Sequence, residues 1–276
     1  MQQVCQVSER RACQTLGVAR STARYESVAP DDDALTQALA GLRVEFTTWG
    51  YRKLTGVLNE RGWHVNHKRV YRIWKAHGWQ RSPPPRRAEK STGDSSNACH
   101  IRRAEYGNHA WAVDFVKDHT HDGKPLKILT VIDEYTREAL TVEVRRRMGQ
   151  KEVSEILARL FKERGAPEFV RSDNGGEFAG DKIKAVLKEL GSETALIAPG
   201  SPWQNGKNER FNGILSQEIL SREVWGNLLE AQVMIETWRK TYNEVRPHGS
   251  LAMKTPQAYA ELARQEGKWR QEVAQN

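Results

Sequence analysis

The spacing of apolar residues predicts a helical first part of the chain. Near the N-terminus, Ala12 and Leu16 recur at helical spacing and are expected to point inward, a turn follows at Gly17, and a second helix carries Arg20 and Arg24. This order is typical of a helix-turn-helix, in which the second helix contacts DNA. Two amphipathic helices with a solvated basic face are an equal alternative for the same residues.

A second pair of helices follows. Leu54, Val57 and Leu58 share one helical face, and the next helix is predicted to begin after an N-cap at Asn66 and to end near Gly78. The polar faces of this helix are basic and suit contacts to DNA phosphates, through Lys68, Arg69, Arg72 and Lys75. A solvated charged surface explains these four residues as well.

The apolar pattern then stops and resumes with a different period. Residues 81–104 are basic and rich in proline and serine, include three consecutive prolines, and show no periodicity, which predicts a linker. We therefore expect four regions: a helical DNA-binding region over 1–80, the linker over 81–104, a catalytic core over 105–225 and a helical extension over 226–276.

Strands and helices alternate beyond the linker. Two apolar runs, AWAVDFV and LKILTVI, predict a hairpin, and LTVEVR predicts a third strand. An amphipathic helix over 150–164, a strand in EFVRSD, a helix over 181–190, a strand in ETALIA and a helix that begins within 200–213 complete the order. This order predicts an α/β fold, a mixed sheet of five strands with helices on its faces.

Composition and charge indicate the partner. The 276 residues carry a net charge of +8, and residues 1–110 hold all of the excess, with 18 Lys and Arg against 10 Asp and Glu. A basic region joined to a neutral one favours DNA as the partner. No apolar run is long enough for a membrane span and the N-terminus is too polar for a signal peptide, so we expect a cytoplasmic, nucleoid-associated protein and no membrane. The three cysteines form no CxxC pair, which supports neither a disulfide framework nor a zinc ribbon.

Three carboxylates stand in unusual local settings. Asp114 interrupts the apolar strand WAVDFV, where an unpaired charge is costly. Asp173 comes at the end of a strand and before the glycines of DNGGEF, and Glu209 lies near the start of a helix. Carboxylates converging from separate elements suit one or two hard cations such as Mg²⁺. Each residue taken singly is better explained as a surface charge.

Taken together, their order and surroundings carry a family resemblance. The settings WAVDFV, SDNGGEF and NGKNERFNG resemble the DDE transposase and retroviral-integrase superfamily. The stretches SERRACQTLGVARSTARY, GYRKLTGVLNERGWHVNHKRVYRI and YNEVRPHGSLAMKTPQAYA are similar to OrfB, the second-frame product of two-frame bacterial insertion sequences. The resemblance covers nearly the whole chain.

The resemblance implies a fold, a reaction and partners. It implies a ribonuclease-H-like core, two Mg²⁺ ions that Mn²⁺ can replace, and Asp114, Asp173 and Glu209 as catalytic metal ligands. It implies Mg-dependent cleavage and strand transfer of double-stranded DNA at terminal inverted repeats and into target DNA. The expected partners are further copies of the chain on paired ends, and the upstream OrfA product or an OrfAB fusion. A non-catalytic DNA-binding product and a purely hydrolytic ribonuclease-H-like nuclease are the alternatives.

Other polar residues leave alternatives open. Lys207 and Arg210 flank Glu209 and are expected either to contact DNA or to lie on the helix surface. Asp133 and Glu134 follow a strand, which favours turn chemistry or a salt bridge over an accessory catalytic role. The Arg246-Pro247-His248 segment matches the family pattern, with packing or DNA contact as its role.

Overall fold

The computed structural model describes residues 7–25, 32–80, 103–172, 187–189, 191–196 and 206–269. The chain divides into two compact units, residues 1–45 and 46–276. The second predicted helix pair therefore belongs to the same unit as the sheet. Residues 81–102 of the predicted linker lie outside the described residues.

Three helices form the described part of the first unit: α1 (Glu9–Thr15), α2 (Arg20–Ala23) and α3 (Asp33–Glu45). Gly17 makes the turn between α1 and α2 with a φ of +63°. The predicted inward position of Leu16 is wrong, because α1 ends at Thr15 and the leucine side chain is 59% exposed in the turn. The sequence interpretation also missed α3, whose Leu35, Leu39 and Leu42 are buried.

The second helix pair has the predicted form. Helix α4 (Tyr51–Glu60) and helix α5 (His67–Ala76) pack together, with Leu54, Val57 and Leu58 buried. The side chain of Asn66 accepts a hydrogen bond from the backbone N–H of Lys68, which caps α5 at its start. Gly78, with a φ of +63°, follows its end.

The sheet has five strands in the order β3-β2-β1-β4-β5. Its strands are β1 (Ala110–His119), β2 (Pro125–Asp133), β3 (Ala139–Arg145), β4 (Phe169–Ser172) and β5 (Glu193–Leu196). The first three pair antiparallel, whereas β4 is parallel to both β1 and β5. The prediction of a mixed sheet with flanking helices is confirmed.

Alternation along the strands gives the sheet two apolar faces. Trp111 and Val113 of β1 face helix α6 (Gln150–Arg164), which buries Val153, Ile156 and Leu157 against that side. Ala112 faces the other side, together with helix α7 (Gly206–Leu215) and helix α8 (Leu228–Glu244). The sheet is therefore covered by helices on both sides.

Helix α7 continues through a π-helical segment, Ser216–Leu220. Phe211, Leu215 and Ile219 of this continuous helical stretch are buried. After α8, a 3₁₀ turn (Gly249–Leu251) leads to helix α9 (Pro256–Gln265). No helix among the described residues is long and apolar enough to cross a bilayer.

The Arg246-Pro247-His248 segment serves packing. All three side chains are buried, and Arg246 donates to both oxygens of Glu218 at 2.9 and 3.2 Å through Nε. Pro247 lies against α4 at Gly56, where an added Cβ would be 2.8 Å from the proline Cγ. The segment thus joins α4 to the π-helical segment that follows α7.

Candidate active site

Asp114 lies in the middle of β1 and points toward helix α7. Side chains alternate along the strand, so Asp114 shares a face with Ala112, which packs in the cluster that contains α7. Its side chain is half-buried, and its partner across the β1–β2 pair is Thr130. The carboxylate therefore stands where the apolar face of the sheet meets the start of α7.

Two asparagines of α7 contact this part of the sheet. Asn212 donates from Nδ2 to Asp114 Oδ2 at 2.8 Å, and the backbone N–H of Phe115 donates to Oδ1 at 2.8 Å. The hydroxyl of Thr130 lies 3.3 Å from Asn208 Oδ1 and 3.1 Å from Asn212 Oδ1. Asn208 and Asn212 are four residues apart and so share the helical face turned to the sheet.

Glu209 lies between these two asparagines on the same helix. It is three residues before Asn212, so the two side chains are neighbours on the helix surface. Glu209 is exposed, whereas Asn208 is fully buried. The structure thus brings the helix that carries Glu209 against the strand that carries Asp114.

Asp173 lies outside the described residues, immediately after the last residue of β4. The described residues before it are fixed, because Arg171 and Ser172 are both buried. Arg171 pairs with Ala112 in the parallel β1–β4 ladder, two residues before Asp114 along β1. The strands that carry Asp114 and lead to Asp173 are therefore direct neighbours.

A buried carboxylate links these elements at a second point. Glu134, 1% exposed, follows β2, and its Oε1 lies 2.9 Å from Arg171 Nη1 of β4. Its Oε2 lies 3.2 Å from Lys207 Nζ in the first turn of α7. Burial lowers the pKa of Lys207, and the nearby charge of Glu134 opposes that shift. The predicted salt bridge of Glu134 is confirmed.

Asp133 has the predicted turn chemistry. Its Oδ1 accepts from the backbone N–H groups of Tyr135 and Thr136 at 2.8 Å, and its Oδ2 accepts from that of Asn108 at 2.6 Å. Burial raises the pKa of this carboxyl group, and the three backbone donors oppose the shift. Asp133 therefore fixes the loop that presents Glu134.

The residues predicted to bind DNA fall into three settings. Arg20 and Arg24 are exposed, but both pair with Glu9, at 3.2 and 2.8 Å, and α2 is only four residues long. The basic residues of α5 lie opposite its buried seam and are exposed or half-buried. Of the pair beside Glu209, Arg210 is exposed and Lys207 turns inward to Glu134.

The sequence interpretation missed the polar residues that support the site. Thr130 interrupts the apolar strand LKILTVI, as Asp114 interrupts β1, and it is fully buried. This interruption was a usable signal. The roles of Asn208 and Arg171 depend on contacts between distant segments, so no local sequence pattern predicts them.

Comparison with known proteins identifies the family. Residues 105–202 and 190–256 each match an Integrase core domain, and residues 30–88 match an HTH-like domain. The chain is 34% identical over 256 residues to the 31.7 kDa protein of insertion element IS407 from Burkholderia multivorans, covering 92% of this chain and 91% of that protein. It is 24% identical to the putative transposase InsK of insertion element IS150 from Escherichia coli, covering 76% and 77% of the two chains.

A solved structure has a similar fold. The simian T-cell lymphotropic virus intasome, determined in complex with PP2A regulatory subunit B56 gamma, contains a chain that superposes with a TM-score of 0.50 at 19% identity. The match covers 80% of this chain and 73% of that one. The likeness is one of fold, whereas the integrase-core matches and the insertion-element relatives show that the chain belongs to the DDE transposases of bacterial insertion sequences, which are polynucleotidyl transferases.

Proposed function

We propose that Asp114, Asp173 and Glu209 form the catalytic site with which this transposase cuts and joins DNA at the terminal inverted repeats of its element. The hydrogen bond from Asn212 to Asp114 carries the proposal, because it holds the helix of Glu209 against the strand of Asp114. The pairing of β1 with β4 supports the inclusion of Asp173, which follows β4 directly.

A divalent cation fits the donors of this site. Carboxylate oxygens are the ligands that Mg²⁺ prefers, and Asp114 sits half-buried on an otherwise apolar face where a cation would compensate its charge. We expect two Mg²⁺ ions, with Mn²⁺ as a substitute. When bound, such ions activate a water or a 3′-hydroxyl and stabilise the leaving oxygen of the phosphodiester.

The chain itself orients the ligands. Asn212 and the N–H of Phe115 each donate to one oxygen of Asp114, which fixes the plane of the carboxylate. The hydroxyl of Thr130 lies within hydrogen-bond distance of the side-chain oxygens of both asparagines of α7. This preorganisation limits the reorganisation needed when DNA and cations bind.

DNA contacts are proposed chiefly for α5. Lys68, Arg72 and Lys75 are exposed and recur at i, i+4 and i+7, so they form one basic face opposite the buried seam. Arg69 and Arg210 add charge at positions that a bound duplex can reach. Arg20 and Arg24 would have to exchange Glu9 for a phosphate, which makes them weaker candidates.

Assembly follows from the reaction. Joining two element ends requires that both be held at once, and we propose that several copies of the chain, together with the upstream OrfA product or as an OrfAB fusion, assemble on paired ends.

An assay with labelled element ends and Mg²⁺ tests the proposal. We expect the protein to yield strand-joined products, and Asp114→Asn, Asp173→Asn and Glu209→Gln to reduce joining by at least about 10³-fold while leaving DNA binding nearly intact. Glu155→Gln, at an exposed position on α6, is the matched control and should retain full activity.

The remaining outcomes separate the alternatives. Cut products without joined ones would indicate a hydrolytic nuclease. A shifted band without any cleavage would indicate a binding protein, and joining that survives the three substitutions would exclude the proposed ligands.

A further inference from the structure

An ion-pair cluster, Glu134–Arg171–Lys207, connects β4, which Asp173 follows in the sequence, to helix α7, which carries Glu209. Arg171 is two residues before Asp173 in the sequence, and Lys207 is two residues before Glu209. Glu134 contacts both: Oε1 lies 2.9 Å from Arg171 Nη1, and Oε2 lies 3.2 Å from Arg171 Nη1 and 3.2 Å from Lys207 Nζ. One side chain therefore spans the end of β2, the strand β4 and the first turn of α7.

Stability alone does not account for the cluster. Glu134 is 1% exposed and Arg171 9%, so both charges lose most of their hydration on folding. The desolvation cost of such a pair often equals or exceeds its attraction, and apolar residues of similar volume are commonly as stable. What an ion pair adds is direction, because its short contacts fix the relative positions of the groups.

Two asparagines tie α7 to the antiparallel part of the sheet. Asn208 and Asn212 hold the helix to β1 and β2 through Thr130 and Asp114. Lys207 extends these links toward β4, because it contacts Glu134 and Glu134 contacts Arg171 of β4. The loop of Glu134 is itself rigid, since Asp133 accepts three backbone hydrogen bonds there and the N–H of Glu134 donates to Ala110 O at 2.9 Å.

We propose that Glu134 is a positioning residue of the transposase, whose carboxylate fixes the spacing between the end of β4, which Asp173 follows in the sequence, and the start of α7, which carries Glu209. The inference rests on the proposed function of these two carboxylates. It also assigns the inward-facing Lys207 to the support of the site, in place of a DNA contact.

Glu138 provides a matched control. It is another buried carboxylate of the same loop, with a side chain 5% exposed, and it pairs with Arg164 at 3.1 Å. Arg164 is the last residue of α6, so this ion pair ties the loop to an element that carries no proposed ligand. Glu138→Gln and Glu134→Gln thus remove the same charge at the same depth, and only the second loosens β4 from α7.

The test compares these two variants by metal binding and by strand transfer. Free Mn²⁺ is measured by electron paramagnetic resonance during titration of the full-length protein without DNA, and strand transfer is measured as a function of Mg²⁺ concentration. We expect Glu134→Gln to weaken Mn²⁺ binding and to raise the Mg²⁺ concentration for half-maximal joining by about tenfold or more, with a lower maximal rate. Glu138→Gln should match the wild-type protein in both, although thermal melting reveals any loss of stability in either variant.

A second variant covers the case in which Glu134→Gln does not fold. Lys207→Met leaves Glu134 paired with Arg171 and removes only the link to α7, from a side chain that is 30% exposed. It should weaken Mn²⁺ binding in the same direction. The test uses whichever of Glu134→Gln and Lys207→Met folds. If that variant binds Mn²⁺ and joins DNA as Glu138→Gln does, the inference is overturned.

Parallel measurements on Asp114→Asn and Glu209→Gln distinguish a failure of the positioning role from a failure of the ligand assignment. If these variants lose metal binding and Glu134→Gln does not, only the positioning role fails. If they keep strand transfer, the ligand assignment itself fails, whatever Glu134→Gln does.

Discussion

At the scale of single residues, the buried charge of Arg246 is held by two side-chain partners. Arg246 is 5% exposed and contacts Glu218 of the π-helical segment on one side and His248 on the other. Its Nη1 lies 3.2 Å from Nε2 of the histidine. Because a guanidinium can only donate, Nε2 must accept, and the imidazole is held neutral with its proton on Nδ1.

This arrangement predicts a loss of stability in acid. Burial and the charge of Arg246 lower the pKa of His248 to about 3 in the folded protein, against about 6.5 in an unfolded chain. Between these values the unfolded chain binds a proton that the folded protein does not, so the free energy of unfolding decreases as pH falls below about 6.5. The loss from this residue should reach about 2 kcal/mol between pH 6.5 and pH 5.

Denaturant unfolding at several pH values measures this contribution. His248→Gln keeps an acceptor for Arg246 but does not titrate, so its stability should change less than that of the wild-type protein over this interval, by about the 2 kcal/mol given above. Above pH 7 the two curves should run parallel. Equal slopes below pH 6.5 would show that the ring is protonated in the folded protein.

At the scale of elements, the contact between α4 and Pro247 leaves no room for a side chain. A Cβ on Gly56 would lie 2.8 Å from Cγ and 3.1 Å from Cβ of the rigid proline ring. By contrast, a Cβ on Gly213, in the interior of α7, meets no described atom within 4 Å. Close approach, and not backbone conformation, therefore accounts for the glycine at position 56.

Two alanine substitutions test this contact. Gly213→Ala should stabilise the protein by up to about 1 kcal/mol through helix propensity alone. Gly56→Ala gains the same propensity but forces α4 away from Pro247, an overpacking cost of about 1–3 kcal/mol. Thermal or urea unfolding should therefore rank Gly213→Ala above Gly56→Ala by about that cost, and equal effects would show that α4 can shift freely.

The same scale explains what the sequence predicts well. Helix α5 has a capping asparagine, an apolar seam and a terminal glycine, all local signals, and its bounds follow from them. The strands of the β1–β2 hairpin and helix α6 likewise have clear local patterns of apolar residues. Helix α3 has the same kind of seam in Leu35, Leu39 and Leu42 and was overlooked, whereas Leu16 was assigned to a helix that stops one residue earlier.

The residues of the candidate site likewise fall into those that the sequence indicates and those that only the fold brings together. Asp114 and Glu209 are recognisable because a carboxylate within an apolar strand or beside a glycine-rich turn is locally anomalous. Glu134, Arg171 and Lys207 are at least 36 residues apart along the chain, and each resembles an ordinary surface charge until the fold joins them. Their association is a property of the sheet order, which places β4 beside β1, and of the packing of α7 on β1 and β2.

At the scale of the whole molecule, the excess of positive charge lies in residues 1–110. Within the second unit, that region contributes α5, whose Lys68, Arg72 and Lys75 form an exposed basic face. Each phosphate that a lysine or arginine neutralises releases counterions, so the logarithm of the binding constant falls with the logarithm of salt concentration by about 0.9 per contact. The salt dependence therefore counts the contacts this face makes.

Replacing Lys68, Arg72 and Lys75 together by glutamine should reduce that slope by between about 1 and about 3 and weaken binding to all DNA sequences alike. Fluorescence anisotropy with a labelled inverted-repeat duplex, at several salt concentrations, measures the slope directly. The control removes the same three charges from exposed positions on α6 and α8, by Lys151→Gln, Lys162→Gln and Lys240→Gln, so that the change in net charge is identical. If both triple variants lower the slope equally, DNA binding depends only on the net charge of the protein, and α5 makes no specific contacts to the phosphates.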